Sequence, residues 1–72
     1  MKDSSSKILF LLKSALESAE EKEKYIEYLK LSEYFNFESE SSFFRGRIDD
    51  FTNSISRSCK LILKEIENEK VD

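Results

Sequence analysis

The sequence predicts an all-α protein: an antiparallel two-helix hairpin with coiled-coil-like packing, completed by a partner chain or by dimerisation. Three observations predict it. Across 72 residues there is no proline and a single glycine, Gly46, so nothing breaks long helices. Two segments carry apolar residues at three-and-four spacing, the signature of one helical face. Between them, Asn36 to Ser42 reads NFESESS, the one place where serine, asparagine and acid cluster. The expected layout is a single domain, residues 1–72, with helix one over about 4–35, a connection over about 36–42 and helix two over about 43–69.

Helix one can be capped by Asp3 or by one of Ser4, Ser5 and Ser6, since a short oxygen-bearing side chain accepts from the free amides of the first turn. From there Ile8, Leu12, Ala15, Ala19, Ile26 and Leu29 lie along one stripe, interrupted by Lys22 and then by Glu33. The segment Glu17 to Lys24 is otherwise charged and reads as a solvated face. The helix is expected to end near Phe35 and Asn36, because asparagine tolerates the left-handed conformation that terminates helices.

Ser39, Ser41 or Ser42 can cap helix two, and whether Gly46 lies inside it or before it stays open. Its apolar stripe is Phe44, Ile48, Phe51, Ile55, Cys59, Ile62 and Ile66. That spacing averages about 3.67 residues per step, nearer the eleven-residue repeat than the heptad, and predicts a nearly straight pair. Folding at about residue 39 sets residue i opposite 78 minus i. Leu12 then faces Ile66, Leu16 faces Ile62 and Ala19 faces Cys59, with Phe35, Phe37, Phe43 and Phe44 forming an aromatic plug at the loop end.

A chain this short buries only about 60% of the surface that it exposes when unfolded. Such chains usually add disulfides, a metal, oligomerisation or unusually good helix packing. One cysteine and no histidine exclude an internal disulfide and leave no soft-ligand set for zinc. Association with another chain is what remains. A lone cysteine suits a reducing compartment, and the expected location is cytoplasmic. The apolar run Ile8 to Leu12 is too short for a signal peptide or a membrane span.

Catalysis is not expected. Without histidine the serines lack the usual base, and Cys59 lacks the neighbour that would activate it, although a serine–lysine pair is not excluded by composition. No glycine-rich phosphate loop or calcium-loop spacing occurs, and Asp49 and Asp50 suit the early turns of helix two. No cofactor or metal is implied. The net charge of −3 with both signs interspersed offers no broad basic field. Arg57, Lys60 and Lys64 do share one face, with Arg45 and Arg47 near the start of helix two.

Two helices cover one stripe each, and the excess apolar residues indicate where something else sits. Ile8 to Leu12 turn through more than a full circle, so one neighbouring helix cannot cover them all. Phe10, Leu11, Tyr28, Leu61 and Leu63 are therefore the candidate partner-binding residues, concentrated where the two chain termini meet. A contiguous patch of that kind marks an interface. The alternative is that these side chains pack beneath the stems of Lys13, Lys60 and Lys64.

The serine-rich start at Ser4 to Ser6, the stripe from Ile8 to Leu29, the NFESESS connection and the stripe from Phe44 to Ile66 together resemble the small co-chaperones of type III secretion needle subunits. The resemblance spans the chain and is one of architecture, without a diagnostic motif. It implies pairing with a second, tetratricopeptide-like chaperone, the two together keeping a needle subunit unpolymerised in the cytoplasm of a bacterium. Two other classes stay open: a self-associating hairpin forming a four-helix-bundle homodimer in a phage or regulatory system, and a small nucleic-acid-associated regulator or antitoxin.

Overall fold

The structure is a computed structural model that describes residues 4–71, with side chains over residues 5–68. It is all-α. Helix α1 spans Ser4–Tyr34 and α2 spans Glu38–Val71, and the two pack as an antiparallel hairpin with contacts from Lys7 and Glu65 to Ser32 and Ser41. The body measures 55 × 14 × 11 Å, with a radius of gyration of 16.5 Å. A compact chain of this length would have about 11 Å. The molecule is a rod, and a rod two helices thick has almost no interior.

The corner is tighter than the sequence suggests. Asn36 adopts the left-handed conformation with φ 60°, a strain that asparagine bears better than most side chains. Around it the Phe37 amide donates to the Ser32 carbonyl at 2.8 Å and the Asn36 amide to the Glu33 carbonyl at 3.2 Å. These two bonds satisfy carbonyls that the end of α1 leaves open, in the arrangement known as a Schellman motif. The Phe37 carbonyl then accepts from the Ser41 amide at 2.9 Å, so Phe37 stands at the start of α2.

The connection is thus residues 35–37, and 38–42 form the first turns of α2. None of Ser39, Ser41 and Ser42 caps it. Glu38 and Glu40 place negative charge in its first turn instead. Gly46 lies inside α2 with open space around the position of a Cβ. At the other end, Ser5 and Ser6 lie within α1 and the candidate cap Asp3 falls outside the described residues.

Shortening the connection moves the register. Lys7 Nζ pairs with Glu65 Oε1 at 3.3 Å, and Ser18 Oγ meets Ser54 Oγ at 3.2 Å. The short side chains thus put residue i level with about 72 minus i rather than the expected 78 minus i, and only long side chains such as those of Glu33 and Arg45 reach across the offset. Leu12, Leu16, Cys59 and Ile66, expected on the inner face, are exposed.

Burial shows which faces meet. In α1 the inward positions are Ile8, Leu11, Ala15, Ser18, Lys22, Tyr25, Leu29 and Ser32. In α2 they are Ser41, Phe44, Ile48, Phe51, Ile55, Ser58, Ile62 and Glu65. Both runs alternate steps of three and four, which is the heptad seam of a left-handed coiled coil rather than the eleven-residue repeat. Every other residue that is less than exposed, such as Ser14, Ala19, Ile26 and Arg47, flanks this seam. Cys59, expected inside, is exposed, and Ser58 takes its place.

The seam is unusual in its chemistry. Among the described residues Leu11 is the only buried apolar side chain, whereas Ser32, Ser41 and Ser58 are buried polar ones. Small side chains let the axes approach, but a buried hydroxyl needs a partner. At the loop end, Ser32 Oγ donates to the Leu29 carbonyl at 2.9 Å and lies 2.7 Å from Ser41 Oγ. Each hydroxyl has one hydrogen, so Ser41 donates to Ser32 and Ser32 to the carbonyl.

Candidate functional site

Seven-residue spacing gives the rod two side faces, one on each flank of the seam. In an antiparallel pair the residue after each second inward position meets its equivalent across the seam. Arg45 and Glu33 occupy such places and bond at 2.7 Å, which fixes that side. On it lie Leu9, Leu12 and Leu16 of α1 with Cys59, Leu63 and Ile66 of α2, all exposed. The opposite side carries Phe10 and Leu61 near the termini and Tyr28, Leu31 and Phe35 near the corner.

At the corner, that opposite side forms a shallow, widely open cleft of about 360 Å³ lined by Tyr28, Leu31, Ser32, Phe35, Phe37, Glu40 and Phe44. Two groups of rings build it. Tyr25 packs edge-on against Tyr28 at 5.5 Å and tilts against Phe51 at 5.5 Å. Phe44 stands 5.7 Å from Tyr28, and beyond the cleft Phe35 stacks on Phe37 at 5.7 Å. Such pairs each add about 0.5–1.5 kcal/mol beyond area burial. The rings are nonetheless not the plug that the sequence suggests: Phe35, Phe37 and Phe43 are exposed and only Phe44 is half-buried. Among the described residues there is no third helix to close over them.

The five sequence-predicted binding residues do not form one patch. Leu11 is 9% exposed, because the seam passes through it rather than through Leu12, so it is not available to a partner. Phe10, 70% exposed, and Leu61 lie level with each other on one side of the rod, whereas Leu63, 61% exposed, lies on the other. Tyr28 belongs to the corner cleft, eighteen residues or about 27 Å along the helix from Phe10. The stripe reasoning missed Leu9, Leu16, Leu31 and the cleft. A heptad count taken separately along each helix would have separated these faces.

Charge adds little chemistry. Arg47 stands over the rings of Phe51 and Tyr25, 5.0 and 5.8 Å from their centroids, and pairs with Asp50 at 3.8 Å. Arg45 and Arg47, the two cations near the start of α2, are thus engaged within the hairpin. Lys24 has its pKa raised by a hydrogen bond to Glu21 and by that carboxylate's charge. The contribution is present below the ordinary lysine value and is lost as pH rises through the raised one. Among the described residues no three histidine, cysteine or acidic side chains are grouped to hold a metal, and no helix is long and apolar enough to cross a membrane.

The exposed area states how incomplete the rod is. It exposes 5683 Å², whereas a compact 8.5 kDa protein exposes about 4,700 Å². Thirteen large apolar or aromatic side chains are exposed among the described residues, against one buried. Comparison with known protein families, curated proteins and solved structures finds no match for this chain.

Proposed function

We propose that this chain is a non-catalytic protein-binding module, a helical hairpin whose corner cleft receives an apolar segment of another protein. The observation that carries the reading is the cleft between Tyr28, Leu31, Phe35, Phe37 and Phe44, a concave aromatic surface on a rod that has almost no core of its own. Aromatic rings in a concave site supply large contact area at low entropic cost and are the usual anchors of protein interfaces. The one serine lining the cleft, Ser32, is engaged with Ser41 and the Leu29 carbonyl, which supports binding over chemistry.

Within that class, the architectural resemblance to needle-subunit co-chaperones favours a cytoplasmic role in which the hairpin stabilises a second, tetratricopeptide-like chaperone. A photo-crosslinking amino acid placed at Leu31, and separately at Glu27 on the solvent face, tests the class in living cells. We expect a discrete adduct of a foreign protein from position 31 and none from position 27, with the adduct's mass spectrum naming the partner. Equal adducts at both positions, or none at 31, would overturn the reading.

A further inference from the structure

The side of the rod marked by the Arg45 and Glu33 pair carries a second set of heptad positions that the hairpin itself does not use. In α1 these are Leu9, Leu12, Leu16 and Ala19, then Glu23 and Ile26. In α2 they are Asp49, Thr52, Ser56, Cys59, Leu63 and Ile66. The steps again alternate three and four, about a quarter turn around each helix from the inner seam. Leu12, 52% exposed, and Leu16, 59% exposed, show that nothing in the hairpin covers this face. The opposite side has no such seam, because Glu17, Glu21, Lys24 and Arg57 occupy its middle.

We propose that a second copy of this chain covers this face about a dyad parallel to the long axis, closing an antiparallel four-helix bundle. That symmetry repeats the register of the hairpin, since residue i of α1 again lies level with 72 minus i in the second copy's α2. Leu9 then meets Leu63 of the second copy, large meets small at Leu12 opposite Cys59 and Leu16 opposite Ser56, and two small side chains meet at Ala19 opposite Thr52. Every neighbouring helix pair is antiparallel, with helix dipoles opposed.

Area agrees. Two separate hairpins expose twice 5683 Å², and a compact body of twice the mass exposes about 7,700 Å². Closing the bundle therefore removes at most about 1,800 Å² per chain, since a 55 Å rod stays less compact than that, and half of this already reaches the size of a stable interface. The one mismatch is also informative. Glu23 falls opposite Asp49 of the second copy, so like charges meet toward the corner end and limit affinity. The corner cleft lies on the other side of the rod and stays open, so the dimer goes beyond the proposed function and does not compete with it.

Sedimentation equilibrium of the full chain tests this. The chain should be a dimer at micromolar concentration, and Leu16→Glu with Leu63→Glu should raise Kd more than about a hundredfold. Both leucines stand off the inner seam, so the hairpin's own packing is spared. Phe10→Ser with Leu61→Ser, on the other side, should leave Kd unchanged, and Glu23→Gln should lower it. Alkylation of Cys59, exposed in the single hairpin, should be slow in the dimer and fast in the Leu16→Glu, Leu63→Glu variant. A monomer at high micromolar concentration, or a dimer that only the Phe10 and Leu61 variant breaks, would overturn the proposal. Crosslinking from Leu31 by such a monomer would leave the protein-binding reading standing.

Discussion

Replacing Ser32 by alanine should cost stability that replacing both Ser32 and Ser41 does not. The two hydroxyls are 2.7 Å apart and each residue is 4% exposed. In the Ser32→Ala variant the Ser41 hydroxyl stays buried with its acceptor gone, a loss of about 1–3 kcal/mol. Alanine returns about 0.5 kcal/mol through its better helix propensity, leaving a net cost near 1–2 kcal/mol. Ser41→Ala removes a donor whose acceptor, Ser32, keeps its bond to the Leu29 carbonyl, so the net change should be near zero. In the double variant no hydroxyl is stranded, and its stability should equal or exceed that of Ser32→Ala. The coupling energy from the cycle should be about 1 kcal/mol. Urea unfolding followed by far-ultraviolet circular dichroism, at one fixed protein concentration because association shifts stability, measures all four forms. Additivity of the two single changes within about 0.3 kcal/mol would refute the argument that the serines act as a pair.

Leu11→Ala should destabilise the hairpin by about 2 kcal/mol, the low end for a buried leucine because the seam is shallow. In the Leu16→Glu, Leu63→Glu background, Leu12→Ala should cost less than half as much by the same urea assay, and equal losses would return the seam to Leu12. Gly46 lies on the solvent face of α2 with nothing near its Cβ position, so Gly46→Ala should stabilise by about 1 kcal/mol. In a chain this short that is about 4–8 °C in Tm, and an unchanged Tm in a thermal melt would place Gly46 against a neighbouring chain.

Periodicity made the helices legible because backbone hydrogen bonding enforces it whatever else the chain does. Asn36 as the terminating residue was legible for a similar reason, since few side chains tolerate its conformation. The serines of NFESESS misled as caps. Serine is favoured both at helix starts and where helices pack closely, and only packing against Ser32 shows that Ser41 does the second.

The stripe of α2 was right at Phe44, Ile48, Phe51 and Ile55 and again at Ile62, where it coincides with the heptad seam. Beyond Ile55 the apolar residues step by four to Cys59 and on to Ile66, while the seam steps by three to Ser58 and on to Glu65. In α1 the apolar residues likewise zigzag between the seam and one flank, Ile8 to Leu12 and Ala15 to Ala19. That drift displaced the predicted pairings, and it loads the outer face with leucine.

The sequence by itself determined that this protein is two long helices, the first ending near Asn36, with more apolar surface than a hairpin can hide. Local propensity and composition decide those matters residue by residue. The tertiary structure alone decided the register, the burial of Leu11 in place of Leu12, and the division of the apolar excess between a flat leucine face and an aromatic cleft. Those depend on where the corner closes. Bonds from Phe37 and Asn36 back to α1 draw the corner in to three residues, and side chains far along the rod are repositioned by a choice that no local pattern encodes.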